Sequence, residues 1–122
     1  MTIDLNGHEI IVNDAAANVI AADVTIMDTE YSDPSFFEGR GTPTGGIIKK
    51  NNGEAFVVVN NGKLTLKSGN INAMRSTALR AQNGGEIVID GGYVKAQEMA
   101  LLVTGRASSI IVNNGYLETA DN

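Results

Sequence analysis

The residues of this 122-residue chain that could do acid–base chemistry are scattered along the sequence. Enzymes that cleave polysaccharides need carboxylates that face one another, with a basic residue near a calcium ion or an acid–base pair. Asp4 stands alone beside Asn6, whereas Asp23 and Asp28 flank a short apolar segment, where carboxylates are usually solvated. We therefore predict no catalytic residues and no enzyme, with a polysaccharide lyase or hydrolase as the less favoured alternative.

The chain also offers few residues that bind metal ions. It has no cysteine and one histidine, His8, which excludes thiolate sites and multi-histidine sites within one chain. Calcium needs about six to eight converging oxygens, and nothing in the spacing of Asp28, Glu30 and Asp33 demands such a site. His8 is interpreted as a corner residue that hydrogen-bonds to the local backbone. We predict no metal ion and no cofactor.

Residues suited to contact with a partner are concentrated between positions 29 and 45. This segment holds both prolines and three of the six aromatic residues of the chain. A long irregular segment inside a small domain is often a binding loop. The alternative is that its two phenylalanines fold back over the body of the protein. The candidate contacts with a protein partner or a glycan in this segment are Tyr31, Phe36, Phe37 and Arg40.

A repeat of 23 residues indicates the elements that must position these side chains. Segments 63–73, 86–96 and 109–119 align without gaps. Apolar residues alternate at the start of each copy, which is typical of a short β-strand, and a glycine follows where the chain must turn. Equivalent residues fall into four columns: Leu64, Ile87 and Ile110; Leu66, Ile89 and Val112; Gly69, Gly92 and Gly115; Ile71, Val94 and Leu117.

A weaker copy of the repeat lies at the start of the sequence. Ile3, Leu5 and Ile10 are predicted to form it, with Leu5 in the column of Leu66, because Ile10 follows Leu5 at the spacing found in the later copies. The glycine column then contains His8 at this first corner.

Two further features complete the pattern. Phe56, Leu79 and Leu102 recur at the same period and are predicted to mark a third strand in each copy. Val24 precedes its equivalent in the next copy by 40 residues, which is 17 more than the period. We therefore place an insertion at 29–45.

Three short strands with sharp corners make one coil of a parallel β-helix, an all-β solenoid. Each strand pairs with its counterpart one coil along, at a spacing of about 4.8 Å, and stacking of the coils closes the core. We predict about five coils, with residues 1–122 forming a single β-helix domain and 29–45 forming an inserted loop. The alternative is a β-sandwich in which the spacing is a coincidence.

The repeat also brings two tyrosines together. Tyr93 and Tyr116 follow the turn glycine of consecutive copies and are predicted to stack, about 4.8 Å apart, in an outward column. Glu9 and Asn70 belong to the same column. Paired surface tyrosines suit protein interfaces and sugar faces, so both are candidate contacts. The alternative is an aromatic ladder that only stabilises the fold.

Three phrases of the sequence resemble a known class of repeat: residues 3–10 (IDLNGHEI), 24–28 (VTIMD) and 62–71 (GKLTLKSGNI). They are similar to the right-handed parallel β-helix repeats of bacteriophage structural proteins and bacterial surface proteins, in the pectate-lyase-like superfold. The resemblance covers nearly the whole chain apart from the insertion and implies a right-handed coil. It implies no single activity, because this superfold includes lyases, hydrolases, adhesins and phage tailspikes.

The net charge of −5 argues against nucleic-acid and anionic-membrane partners. The apolar stretches are too short to span a bilayer, and the first seven residues lack the features of a secretion signal. We therefore expect a non-enzymatic structural protein of a phage virion, such as a capsid decoration or fibre protein, assembled in the host cytoplasm.

The ends of a β-helix expose unpaired strand edges, which favour association. We expect a homo-oligomer, with a trimer favoured, that is seated on a capsid or fibre protein. The alternative is a fragment of an adhesin or carbohydrate-binding β-helix on the bacterial cell surface, with a glycan as its partner.

Overall fold

A computed structural model of the chain describes residues 1–30 and 46–119, which contain fourteen short β-strands and no helix. The strands are β1 (Thr2–Asp4), β2 (Glu9–Val12), β3 (Asn18–Ile20), β4 (Asp23–Met27), β5 (Ile47–Lys50), β6 (Phe56–Val58), β7 (Lys63–Leu66), β8 (Asn70–Ala73), β9 (Leu79–Ala81), β10 (Glu86–Ile89), β11 (Tyr93–Ala96), β12 (Leu101–Val103), β13 (Ser109–Val112) and β14 (Tyr116–Thr119).

The strands form three parallel sheets that run side by side along the molecule. The first sheet has the order β1-β4-β7-β10-β13, the second β14-β11-β8-β5-β2 and the third β12-β9-β6-β3. Every third strand therefore joins the same sheet, and the chain winds as a parallel β-solenoid. This confirms the predicted fold class. The solenoid has about four turns rather than five, because the last copy of the repeat contributes strands to two of the three sheets.

The predicted columns are neighbours in space. Leu64 lies opposite Ile87, which lies opposite Ile110, and each partner is 23 residues further along the chain. Within a strand, successive side chains point to opposite faces, so one set of alternate residues points inward in every coil. These inward residues are apolar, and in the middle coils they are fully buried: Leu64, Leu66, Ile71, Leu79, Ala81, Ile87, Ile89 and Val94.

The glycine column forms the corner between the first and second sheets. Gly69, Gly92 and Gly115 have φ angles of +93°, +84° and +119°. A Cβ atom on Gly92 would lie 2.7 Å from the carbonyl oxygen of Gly69 in the coil below. Both the left-handed backbone and the close approach require glycine. His8 occupies the same position in the first coil, where its carbonyl accepts the N–H of Ile47 at 3.1 Å.

The predicted place of Leu102 is wrong by one residue. Leu101, not Leu102, lies opposite Leu79, and Leu102 lies opposite Arg80. The segment before β12 is one residue shorter than its counterpart before β9, and the segment after β12 is one residue longer. Strand pairing fixes the register, whereas corners tolerate small changes of length. The extra residue is taken up where Ala107 adopts a φ angle of +58°.

The predicted alignment of the first coil is wrong by two residues. Through β4, Ile3 lies in the column of Leu66, so Leu5 falls one inward position later, at the corner, where it is 4% exposed. Asn6 and Gly7 follow with φ angles of +46° and +76° and make this corner two residues longer. An apolar residue continues the strand alternation into this corner, so its position in the repeat is ambiguous from sequence.

The position of the insertion is confirmed. Val24 lies opposite Leu64 across it, and Ile10 lies opposite Ile48 in the next coil of the second sheet. Residues 31–45 lie outside the described residues, as do four of the candidate contacts: Tyr31, Phe36, Phe37 and Arg40.

Candidate functional site

The two remaining candidate contacts, Tyr93 and Tyr116, are adjacent in β11 and β14, as predicted. Tyr93 is only 8% exposed, and Asn70 in the same column is 3% exposed, so the prediction of an outward column is wrong at these positions. Both residues directly follow a corner glycine, where the backbone bends and the simple alternation of faces is lost. Tyr116 is half-buried and offers part of its side chain to solvent.

Asp28 is a fully buried carboxylate at the base of the insertion. Its Oδ1 accepts the backbone N–H groups of Gly7 and Glu30, each at 3.0 Å, and its Oδ2 accepts that of Gly46 at 2.6 Å. Its own backbone N–H donates to the hydroxyl of Ser68 at 2.7 Å. The prediction that Asp28 is solvated is therefore wrong.

The contacts of Asp28 give it a structural task. Glu30 is the second residue of the insertion and Gly46 directly follows it, so one carboxylate joins the points where the chain leaves the solenoid and returns to it. One feature of the sequence predicts this burial: Asp28 continues the inward alternation of Val24 and Ile26.

Asp4 forms a second polar cluster near the same corner, at the surface. Its Oδ1 accepts the backbone N–H of Thr29 at 3.0 Å, and its Oδ2 accepts the Thr29 hydroxyl at 2.9 Å. The N–H of Asn6 also donates to Oδ1. These bonds, led by the Thr29 backbone, lower the pKa of Asp4 below its ordinary value of 3.8, because they favour the ionised form.

Lys50 points into the solenoid and is fully buried, and its Nζ atom has no hydrogen-bond partner among the described residues. The residues opposite it in the next two coils are Ala73 and Ala96. Their small side chains leave interior volume that the aliphatic part of Lys50 can occupy. A hydrophobic pattern gives no indication of this residue, because lysine is normally exposed.

A shallow groove lies on the second sheet, where β8 and β11 end. Its cavity volume is about 150 Å³. Lys95 supplies a cation, Asn72 and Gln97 supply amide donors and acceptors, and Met74, which is 41% exposed, supplies an apolar surface. Such a combination suits a small ligand that carries hydroxyl or carboxylate groups. No sequence pattern predicts this site, because its residues become neighbours only through coil stacking.

The last described coil leaves the interior of the solenoid open. Each sheet has one strongly exposed inward residue in this coil: Val103, Val112 and Leu117 are 45%, 47% and 43% exposed. We call these three residues the C-terminal mouth. The residues before them in the same columns are fully buried: Ala81, Ile89 and Val94.

The opposite end of the solenoid is formed by β1, β2 and β3, whose outer edges we call the N-terminal edge. These edges pair with no other strand among the described residues. Their inward columns begin with Ile3, which is half-buried, Ile10, which is 42% exposed, and Ile20, which is 7% exposed. Both ends therefore combine apolar side chains with strand edges that lack a partner strand in the described part of the chain.

Two other features bear on the kinds of site that the chain contains. Within residues 1–30 and 46–119, no three His, Cys, Asp or Glu side chains lie close enough together to hold a metal ion. None of the described residues belongs to a helix that could cross a membrane.

No protein-family model, curated protein or solved structure matches the chain. The β-helix architecture is therefore established by the strand pairing alone.

Proposed function

We propose that this chain is a non-enzymatic structural protein, a β-solenoid that acts by assembling with other proteins. In its specific form, the proposal is a phage virion component such as a capsid decoration or fibre protein, assembled in the host cytoplasm. The observation that carries it is the exposure of apolar core positions and free strand edges at both ends of the solenoid.

Exposed ends of this kind favour assembly for two physical reasons. A free strand edge presents N–H and C=O groups that can pair with another strand, and soluble proteins usually protect such edges. In solenoids, coils at the ends commonly carry a polar capping surface. The C-terminal mouth instead presents three apolar side chains at 43–47% exposure, and covering them would release water from apolar surface.

The sides of the solenoid are polar, as expected for a structural component whose sides face solvent. In the first sheet, Lys63 lies 3.4 Å from Glu86, and Asn113 donates to Asp90 at 2.7 Å, so polar ladders run along its outer face. A stack of hydrogen-bonded strands around a buried core resists bending. We propose a homo-oligomer, with a capsid or fibre protein as the partner.

The test is to look for the chain in intact particles. Purified virions from the source should contain it in a fixed ratio to the capsid or fibre protein, as measured by quantitative mass spectrometry. Particles assembled without the chain should bind the purified protein. A chain that is absent from purified particles and stays monomeric in solution would contradict the proposal.

A second candidate function, carbohydrate binding at a bacterial cell surface, is favoured by the groove of Asn72, Met74, Lys95 and Gln97. A glycan array should then show binding to sugars with hydroxyl and carboxylate groups, and Lys95→Ala should abolish it. Lys67→Ala is the matched control, because Lys67 is an exposed lysine that directly follows β7, away from the groove. Equal binding by the two variants would exclude the groove as the site.

A further inference from the structure

We propose that the C-terminal mouth of one copy docks on the N-terminal edge of a second copy, so that the coils continue head to tail across the junction. The inference rests on the proposed function, because it names the partner in an assembling solenoid. It starts from a contrast within single columns, where the mouth residues are 43–47% exposed and the residues one coil earlier are fully buried. One further coil stacked on the mouth residues would bury them in the same way as the residues one coil earlier are buried.

The N-terminal edge of the same chain offers a coil of matching shape. It contributes one strand to each of the three sheets. In a head-to-tail stack, β1 of the next copy would pair with β13 and β2 with β14, in the parallel direction seen in all pairs within the chain. The third sheet has one strand fewer than the other two among the described residues, so β12 and the next copy's β3 would not be in contact. In the two sheets that continue, the inward columns would place Val112 opposite Ile3, Leu117 opposite Ile10 and Thr119 opposite Val12.

The outward residues are also compatible in this register. Asn113 of one copy would lie beside Asp4 of the next, which repeats the contact that Asn113 already makes with Asp90 at 2.7 Å. Tyr116 would lie beside Glu9, a pair that brings no like charges together. The other outward strand positions bring no two like charges opposite each other, since they pair Ile111 with Thr2 and Glu118 with Ile11.

A head-to-tail contact has a defined consequence for the size of the assembly. The two surfaces in contact are different, so each bound copy presents a fresh C-terminal mouth, and the contact generates an open chain of copies. Main-chain pairing along two strands would supply affinity, and the apolar columns would set the register. The assembly should therefore grow with concentration.

The first test compares two adjacent residues of β13 by sedimentation velocity over a range of concentrations. Val112 is inward and 47% exposed, whereas Ile111 is outward and 46% exposed. Val112→Lys should weaken association at least about 100-fold, because it places an unpaired charge in an apolar junction. Ile111→Lys should associate like the unmodified chain. Leu117→Lys serves as the second mouth variant if Val112→Lys does not fold by circular dichroism.

The second test distinguishes head-to-tail stacking from other arrangements. Val112→Lys blocks the mouth and Ile10→Lys blocks the N-terminal edge, so each variant alone should be a monomer. Mixed together, they should form a one-to-one dimer that grows no further, since each retains one intact surface. Dimers of Ile10→Lys alone would indicate mouth-to-mouth contact and would overturn the inference.

Two further outcomes would overturn the inference, and its failure can be told apart from failure of the proposed function. The unmodified chain could remain monomeric at every concentration, or it could form a closed trimer that Val112→Lys leaves intact. A trimer found in virions would keep the proposed function while removing head-to-tail stacking. If the protein stacks head to tail in solution but is absent from virions, the inference holds and the proposed function fails.

Discussion

At the scale of single residues, buried and partly buried polar groups near the insertion fix local structure. Asp28 accepts hydrogen bonds from the backbone N–H groups of Gly7, Glu30 and Gly46, which lie before, within and directly after the insertion. Asp4 binds Thr29 at the surface nearby. Lys50, by contrast, is buried without a hydrogen-bond partner among the described residues. These three environments lead to different expectations for substitution.

Asp28→Asn should destabilise the protein by about 2–3 kcal/mol. Asparagine has one acceptor oxygen in place of two, so at least one buried N–H group loses its partner and faces an amide donor instead. The free energy of unfolding from urea titration is the measurement. Asp23→Asn, at the exposed start of β4, is the control and should stay within about 0.5 kcal/mol. Equal effects of the two changes would contradict the role given to Asp28.

Asp4 should make stability depend on pH in the acid range. Its folded pKa lies below the ordinary value of 3.8, so its bonds to Thr29 contribute stability above that value. The contribution is lost as pH falls below 3.8 and through the folded pKa. An NMR titration of the Asp4 carboxyl should show the lowered pKa, and Thr29→Ala should move it back toward 3.8. An unchanged titration in Thr29→Ala would exclude the hydroxyl as a cause.

Lys50→Met should stabilise the protein, by about 1–3 kcal/mol, because methionine fills similar volume without burying an unpaired polar group. Thermal unfolding followed by circular dichroism measures the change. Lys49→Met alters the neighbouring residue, which is outward and half-buried, and should have little effect. A loss of stability in Lys50→Met would mean that the ammonium group has a favourable partner.

At the scale of elements, the corners constrain the sequence as strongly as the strands do. The strands are only three to five residues long, so each coil depends on sharp turns that return the chain to the same register. Gly92 shows the constraint, since its φ angle is +84° and the carbonyl of Gly69 approaches it closely. Corners without such an approach accept other residues, as Ala107 does with a φ angle of +58°.

Gly92→Ala should destabilise the protein by at least about 2 kcal/mol, because it combines backbone strain with a clash against a neighbouring carbonyl. Ala107→Gly is the opposite change at an exposed corner and should be neutral or stabilising by up to about 1 kcal/mol. Chemical denaturation of both variants gives the comparison. Similar destabilisation by both would contradict the distinction between the two corners.

At the scale of the whole molecule, stability depends on how many coils cover a side chain. In solenoids each repeat contacts only its neighbours, and a residue in a middle coil has partners on both sides. Ile89 and Val112 show the difference, because they share one column and are 0% and 47% exposed. The same property makes the ends of the solenoid its natural places for assembly.

Ile89→Ala should cost about 2–5 kcal/mol, as expected for a cavity in a closed core. Val112→Ala at the mouth should cost less than about 1 kcal/mol in the monomer, since solvent already reaches its site. Urea unfolding at low protein concentration is the appropriate measurement. Nearly equal costs would mean that the last coil is covered in solution.

The repeat was sufficient to predict the columns of the last three copies, because stacked strands of equal length require similar residues at equal spacing. It failed at Leu5 and Leu102, because counting along the chain assumes corners of constant length. It also misplaced Asp28 and Tyr93, whose burial depends on contacts with other coils. The repeat predicts that the ends are exposed, but the groove carries no signal in the sequence, since it does not exist until the coils are stacked.

The sequence by itself determined the period, the strand positions, the corner glycines and the place of the insertion, because local alternation and backbone freedom are properties of neighbouring residues. Only the tertiary structure decided which polar groups are buried, which corners shift the register and which apolar residues remain exposed. Burial is set by what lies one coil above and below, and those neighbours are about 23 residues away along the chain. The exposed ends, on which both proposals depend, follow from where that stacking has no further coil among the described residues.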